Sequence, residues 1–341
     1  MTLHLRCSAF FLATLLSAQW TPQNSGTTAS LRGVSAVDGN AAWASGTKGT
    51  YLRTVDGGAI WKAGQVDGAA DIDFRDIHAV DDRIAYLMSA GPGRASRIYK
   101  TIDGGGSWRL QYENTQEKGF FDSIAFWNPK RGIVLGDPVD GKFVLLTTRD
   151  GGRHWTPVEG APAAREGEAA FAASGTCIVT GRGGRAWIAT GGTGGGRILR
   201  STDYGRTWQA SETPIRHEGN ASGIFSVAFL DGREGIAVGG NYEHPAEGRD
   251  NIAISHDGGK TWNTPSGTHP GGFRSAVAFL PGSHRAIATG TSGTSFSDEA
   301  SAGWTDGDAT GYNALSFAAS SVGWAVGPKG VIGRYSGPKN R

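Results

Sequence analysis

Short apolar runs alternate with glycine-rich polar turns along most of the chain. Residues 121–126, 225–229 and 235–238 are typical, since they combine Phe, Ile, Val and Ala with small residues. After residue 20, no stretch keeps apolar residues at the 3.6-residue spacing of an amphipathic helix. The pattern therefore predicts many short β-strands and no substantial helix.

One motif, a hydroxyl residue followed by Asp two positions later and Trp five positions after the Asp, recurs five times. The Asp-Gly step favours a tight turn because both residue types tolerate positive φ, and the Trp then buries a large ring against the sheet. An Asp that recurs in every repeat is therefore predicted to be structural rather than catalytic. The motif residues are Asp56 and Trp61, Asp103 and Trp108, Asp150 and Trp155, Asp203 and Trp208, and Asp257 and Trp262.

The motif divides the chain into repeating units. Two apolar runs precede each copy, and a degraded sixth copy at residues 297–304 and a further pair of runs bring the count to seven units; residues 168–172 open the fourth. Each unit is predicted to contain four strands, named a to d, with the motif between strands c and d. A repeat of about 40 to 50 residues is typical of a propeller blade. The predicted fold class is all-β: a seven-bladed β-propeller of four-stranded blades over residues 19–338, with 339–341 as a tail.

Closure of the ring can also be predicted. The seventh unit ends near residue 337 without a fourth strand, whereas the stretch 20–27 begins with a Trp, as each d strand does after its motif. We therefore expect residues 20–27 to complete blade seven, and an open solenoid is the alternative.

Residues 1–18 are predicted to be a signal peptide, because a weakly basic start is followed by an apolar run too short to span a bilayer. The expected location is secreted or periplasmic, with no membrane span after cleavage. Cleavage would leave Cys177 as the single cysteine, which cannot form an internal disulfide and is expected to be buried.

Composition limits the partners. The 33 basic and 31 acidic residues are spread along the chain, which gives no support to nucleic-acid binding. The Gly-rich run at 191–196 lacks the lysine and the strand-to-helix context of a phosphate loop, so no cofactor is predicted. The spacing of His217 and His244 matches no metal-ligand pattern, so no metal is predicted. We expect a monomer.

In single-letter code, the runs KTIDGGGSW and TTRDGGRHW resemble the neuraminidase-type Asp-box repeat. With the blade openings, the chain resembles the photosystem II stability/assembly factor-like family of seven-bladed propellers, whose bacterial members are often labelled oxidoreductase or glycosyl hydrolase. The resemblance covers residues 20–337. It implies a protein-binding propeller, because family members in photosynthetic organisms bind a newly made reaction-centre subunit through a basic face. This chain has Arg75, Arg216 and Arg274 but no dense arginine cluster.

Candidate site residues lie where the a strands begin and in the d–a and b–c loops, because these loops share one face around the central channel of a propeller. We expect a protein, small-molecule or carbohydrate ligand in this funnel; charged residues that only pair with one another in a wet channel are the alternative. The candidate ligand-binding residues are Arg75, Asp76, Phe121, Asp122, Asp137, Glu168, Arg216, His217, Tyr242 and Arg274.

Two further functions stay open. A glycoside hydrolase needs two carboxyl groups across the scissile bond, and the available ones are Asp76, Asp122, Asp137 and Glu168. A lectin-like domain would instead expose aromatic residues in the funnel, such as Phe120, Trp187 and Tyr242. A binding or assembly role is the first hypothesis, since fold analogy alone argues weakly for catalysis.

Overall fold

A computed structural model describes residues 20–335 and 337, and all of its regular structure is β-strand apart from three short 3₁₀ turns. No helix in this part of the chain is long and apolar enough to cross a membrane. The strands form seven antiparallel sheets, each of which is one blade. The predicted all-β propeller is therefore confirmed.

The 3₁₀ turns span Gly93–Ala95, Arg182–Gly184 and Pro328–Gly330. Blades one to three contain β2 (Leu31–Ala36), β3 (Ala42–Gly46), β4 (Thr50–Thr54) and β5 (Lys62–Gln65); β6 (Asp73–Ala79), β7 (Ala85–Ala90), β8 (Arg97–Thr101) and β9 (Arg109–Glu113); and β10 (Phe121–Asn128), β11 (Arg131–Val139), β12 (Lys142–Thr148) and β13 (Thr156–Pro157). Blades four and five contain β14 (Ile178–Gly181), β15 (Arg185–Ala189), β16 (Arg197–Ser201) and β17 (Gln209–Glu212); and β18 (Ser222–Phe229), β19 (Gly235–Asn241) and β20 (Ile252–Ser255). Blades six and seven contain β21 (Ala276–Phe279), β22 (Ala286–Gly290), β23 (Gly293–Ser297) and β24 (Thr305–Asp306); and β1 (Trp20–Gln23), β25 (Ala314–Ala319), β26 (Val322–Val326) and β27 (Ile332–Tyr335).

The first strand of each blade lies innermost and contacts the first strands of both neighbouring blades, so the seven blades close a ring around a channel. Blade five has three regular strands, and its fourth is reduced to the single bridge between Ile254 and Asn263. Blade four departs from the prediction in its first strand. β14 begins at Ile178, and the stretch 168–172 lies in the preceding loop, where Ala169 makes an isolated bridge to Gly191.

The N-terminal strand closes the ring as predicted. β1 pairs with β27, with Trp20 opposite Tyr335 and Gln23 opposite Ile332. The Gln23 side chain then joins blade seven to blade one. Its Oε1 accepts hydrogen bonds from the indole nitrogens of Trp61 (2.9 Å) and Trp324 (3.1 Å). Because one amide satisfies two indole N–H groups from neighbouring blades, the chain ends are held by side chains as well as by the β ladder.

The Asp-boxes form nearly identical turns. In the second box, Gly105 N donates to Thr101 Oγ1 (3.0 Å), Thr101 Oγ1 donates to Asp103 Oδ1 (2.8 Å), and Ser107 N donates to the same carboxylate (2.9 Å). The other four boxes repeat this set within 0.1 Å. The backbone N–H of Ser107, and after it the hydroxyls of Ser107 and Thr101, lower the pKa of Asp103 to about 2. The structural role predicted for the motif follows from these bonds.

The apolar core lies mainly between adjacent blades, because an aromatic residue of a b or c strand reaches the next blade. Trp43 of blade one donates its indole N–H to Asp81 O in blade two (3.1 Å). Trp187 of blade four donates to Gly258 O in the box of blade five (2.9 Å) and is 2% exposed. Trp187 is therefore a core residue, and its suggested role as an exposed funnel aromatic is wrong.

Candidate functional site

A pocket of about 440 Å³ occupies the mouth of the channel on the face opposite the Asp-boxes. We call it the funnel pocket. All seven blades contribute to it, which places side chains far apart in the sequence against one another. Its lining consists of Arg32, Arg75, Phe120, Asp122, Asp137, residues 170–173, Phe225, Tyr242, Phe273, Ser275, Thr291 and Asn313.

β-Bulges aim several of these side chains into the pocket. In blades one, two, three and five, the a strand contains one extra residue relative to its b strand. This residue follows the first ladder pair in blades one and three, the second in blade two and the third in blade five. A bulge leaves this extra residue unpaired and redirects its side chain. The four bulged residues are Arg32, Arg75, Asp122 and Phe225, and all four line the funnel pocket.

In blades six and seven, a residue at the start of the a strand also lines the pocket, but no bulge is present at this point. In each, the residue just before the first ladder pair lines the pocket: Ser275 precedes Ala276, and Asn313 precedes Ala314. The residue before that is turned into the blade. Arg274 falls in this buried register, as Leu31 does in blade one, and both donate a backbone N–H to a glycine carbonyl of the preceding blade.

The register of the a strand in blade six explains why Arg274, a predicted ligand-binding residue, lies inside the blade and not in the pocket. A shift of one residue along a strand moves a side chain to the opposite face. The Arg274 guanidinium is buried and donates to Ser295 Oγ (2.6 Å), Ser292 Oγ (2.8 Å) and Asp306 Oδ1 (3.2 Å). Its partners lie within blade six, so it ties that blade together and does not line the funnel pocket.

Two carboxyl groups form the acidic part of the pocket. Asp122 is 1% exposed, and neither of its carboxyl oxygens has a hydrogen-bond partner among the described residues. Asp137 lies on β11, at a second bulge between Gly136 and Pro138, and its Oδ1 accepts from Ala170 N (3.0 Å). Burial raises the pKa of Asp122 well above its usual value, the Asp137 charge raises it further, and Arg75 opposes the shift. Burial also raises the pKa of Asp137.

The guanidinium groups differ in how they are held. Arg75 Nε donates to Asp73 Oδ2 (2.6 Å), and Arg75 Nη1 donates to Ala172 O (3.0 Å), so two blades fix this side chain. Arg32 Nε is buried without a partner in the described structure. Burial lowers the pKa of Arg32, as does the neighbouring Arg75 charge, whereas Asp73 raises it. Two arginines and two carboxyl groups therefore line the same pocket.

Aromatic side chains form the opposite wall. Phe171 stacks on Phe225 with ring centroids 3.8 Å apart and planes 6° apart. Phe273 and Tyr242 present their edges to Phe225 at 4.7 Å and 6.1 Å. Tyr242 is 48% exposed, which makes it one of the most exposed large hydrophobic residues of the described chain. The pocket thus combines an aromatic wall with a cluster of buried and half-buried ionisable groups, an arrangement typical of ligand sites.

Four of the ten predicted site residues share the pocket: Arg75, Asp122, Asp137 and Tyr242. The structure places Asp76 and Phe121 inside the blades. Asp76 is buried and accepts from Ile77 N (2.7 Å), Ile124 N (2.8 Å) and Ser123 Oγ (2.9 Å), so it clamps blade two to blade three. Burial raises the pKa of Asp76 to about 7, and these hydrogen bonds oppose the shift.

Three predicted residues lie in ion pairs or loops outside the pocket lining. Glu168 is buried against the guanidinium of Arg197. Arg216 donates to Glu247 (2.6 Å) and Glu218 (3.0 Å). His217 contacts its own loop through Ile215 O (3.1 Å). Each of them already has protein partners, and the funnel pocket is formed without them.

Several pocket residues were not predicted from the sequence, among them Arg32, Phe171 and Phe273. Arg32 was detectable, because it is the second residue of its a strand, as Asp122 is of its own. The sequence pattern predicts a strand over 168–172, but Phe171 lies in a loop. Within residues 20–335 and 337, no group of three or more His, Cys, Asp or Glu side chains is arranged to hold a metal ion.

Comparisons with known proteins agree with this architecture. The family described as the BNR/Asp-box repeat matches residues 253–264, the fifth box. A structure of YCF48 bound to a D1 peptide is similar at 16% identity with a TM-score of 0.65, covering 93% of this chain and 96% of that one. YCF48 from Cyanidioschyzon merolae is similar at 16% identity with a TM-score of 0.68, covering 94% and 99%. No curated protein matches the sequence.

A GH74 xyloglucanase from Xanthomonas campestris is similar at 18% identity with a TM-score of 0.60. The match covers 87% of this chain but 50% of the enzyme, so the present chain spans half of it. At these identities the structural likenesses show the fold, a seven-bladed propeller. The resemblance to Asp-box propellers inferred from the boxes is thus confirmed for the repeat and for the fold.

Proposed function

We propose that this chain is a binding propeller that captures an extended segment of a protein partner in the funnel pocket. The observation that carries this proposal is the pocket itself. Its seven blades join an aromatic wall to the Asp122 carboxyl group, which has no hydrogen-bond partner within residues 20–335 and 337. A buried polar group without a partner is costly to folding, and a ligand that satisfies it removes that cost. The similar YCF48 structure, which holds a D1 peptide, supports the choice of a peptide.

A selection from a displayed peptide library against the intact propeller tests this function. We expect selected peptides to lose affinity by about tenfold or more when Tyr242 or Phe171 is changed to Ala, because aromatic anchors contribute 1 to 2 kcal/mol or more at interfaces. Arg216→Ala is the matched control, because Arg216 lies in a neighbouring loop outside the pocket. If both aromatic variants bind the selected peptides with wild-type affinity, the peptides bind outside the funnel pocket and the proposal is refuted.

A glycoside hydrolase is the second candidate, favoured by one observation. Asp122 and Asp137 line the same pocket, and burial raises the pKa of both, as the acid of a carboxyl pair requires. Chromogenic glycosides incubated with the wild type and with Asp122→Asn and Asp137→Asn variants test it. Turnover that both variants abolish would establish catalysis, and absence of turnover by the wild type across the panel would leave binding as the function.

We place this binding role outside the cytoplasm, in the periplasm or the medium. Support comes from the signal-peptide pattern of residues 1–18. Mass spectrometry of the protein expressed with its own N-terminus tests the location. A mature form that begins after residue 18 in the envelope or medium is expected, whereas an uncut chain in the cytoplasm would contradict it.

A further inference from the structure

We infer that the Asp122 and Asp137 carboxyl groups bind an alkylammonium group of the captured segment, the side chain of a lysine or a free amino terminus. This inference rests on the proposed function, and it assigns the chemistry that the funnel pocket recognises. It requires a ligand cation at one defined end of the pocket, against the acidic residues of blade three.

The first support is the geometry of the two carboxyl groups. Asp122 and Asp137 are carried by adjacent strands, and each sits on a bulge that turns its side chain away from the ladder. Asp122 is 1% exposed, and neither of its two acceptor oxygens has a partner in the part of the chain that the structure describes. Since the nearby Arg75 is already held by Asp73 and Ala172 O, the described residues supply no donor to Asp122. An ammonium group brings three donors and one positive charge to this place.

The second support is the aromatic wall. Phe171, Phe225, Phe273 and Tyr242 line the same pocket as the carboxyl groups. Aromatic faces attract ammonium groups, and cages of such rings are a known way to hold them. The apolar stem of a lysine would lie along the rings, while its head reaches the carboxylates. A carboxylate ligand has no donor and could not satisfy the acceptor oxygens of Asp122.

The charges around Asp122 also predict how binding depends on pH. Asp137 from the same blade raises the Asp122 pKa, and Arg75 from blade two lowers it; Cys177 of blade four interacts with Asp122 and has its own pKa raised by burial. Because burial raises the Asp122 pKa, the empty pocket favours the protonated carboxyl group. An ammonium ligand favours the carboxylate, so binding releases a proton and strengthens with pH. The ligand stays charged because a lysine titrates near 10.4.

The test uses ligand-observed NMR titration of the intact propeller with short blocked glycine peptides carrying one central lysine. Matched peptides carry N-acetyl-lysine, or no lysine but a free amino terminus. We expect acetylation to weaken binding about tenfold or more, and Asp122→Asn to do the same to the lysine peptide. Asp140→Asn is the control. Asp140 is exposed in the two-residue turn of the same hairpin, where φ is 52°, a conformation that Asn tolerates, and it lies outside the pocket lining.

Each outcome decides the inference. Stronger binding of either the lysine peptide or the free amino terminus supports it, and their order identifies the source of the ammonium. Affinity for the lysine peptide that rises from pH 5 to pH 8 in the wild type, but not in Asp122→Asn, supports it further. Equal binding of all three peptides, or an Asp122→Asn variant that binds the preferred peptide as the wild type does, overturns it. If library-selected peptides still depend on Tyr242 in that case, the proposed function stands and only the ammonium assignment fails.

Discussion

The two faces of the propeller use aspartate in opposite ways. On the box face, Asp103 is exposed and accepts several hydrogen bonds, and these bonds lower its pKa to about 2. On the funnel face, Asp122 is buried without a hydrogen-bond partner among the described residues, and burial raises its pKa well above the usual value. The first arrangement stabilises a turn, whereas the second costs folding free energy. A carboxyl group kept in an unfavourable place is an indication of function.

Asp76 shows that burial alone does not produce this contrast. Asp76 is as buried as Asp122, yet it accepts hydrogen bonds from two backbone N–H groups and a serine hydroxyl. The two residues lie near the start of the a strands of neighbouring blades. The difference between them teaches that a carboxylate in the channel can be a clamp between blades or an open acceptor, depending on which face of the strand carries it.

The largest effect is expected from Asp76→Ala. This change leaves the N–H groups of Ile77 and Ile124 buried without their acceptor, so we expect a loss of about 3 kcal/mol in the free energy of unfolding at pH 8. Urea unfolding measures it. A loss of less than about 1 kcal/mol in the free energy of unfolding would show that Asp76 does not hold the two blades together.

An intermediate effect is expected from Thr148→Val in the third box. Valine keeps the shape of threonine but removes the acceptor of Gly152 N (2.9 Å) and the donor to Asp150 (2.9 Å), so we expect a loss of about 2 kcal/mol. Thr147→Val is the matched control, because the hydroxyl of Thr147 makes no hydrogen bond in the described structure. Equal melting temperatures for the two variants would show that the box hydrogen bonds do not stabilise the turn.

The smallest effect, of opposite sign, is expected from Asp122→Asn. Between the unfolded pKa near 3.9 and the raised folded pKa, the folded protein binds the Asp122 proton more tightly than the unfolded chain does. The free energy of unfolding therefore falls as pH rises through this range, and Asn removes this loss. We expect Asp122→Asn to be more stable than the wild type by about 1 kcal/mol at pH 8, and by less at pH 5. Thermal unfolding at both pH values checks the sign, and a destabilised variant at pH 8 would mean that Asp122 has a structural partner.

Part of the candidate site could be predicted from the sequence. The prediction failed where it depended on the register of a single strand. Asp122 is the second residue of its strand and Arg75 the third, and both are bulged residues that face the pocket. Arg274 looks equivalent in the sequence, but it takes the buried register, with Ser275 in the pocket position. No local property of the residues 273–275 signals this shift, because it depends on how β21 pairs with β22.

The chain by itself determined the blade number, the box turns and the closure by the strand at Trp20, because each depends on a local signal that recurs: an Asp-Gly turn, a Trp after it, and a pair of apolar runs before it. Only the tertiary structure decided which side chains meet. Bulges and strand register set the direction of each residue, and the ring brings Arg32, Asp122 and Tyr242 together from three blades. These choices reflect long-range packing, which neighbouring residues in the sequence do not encode.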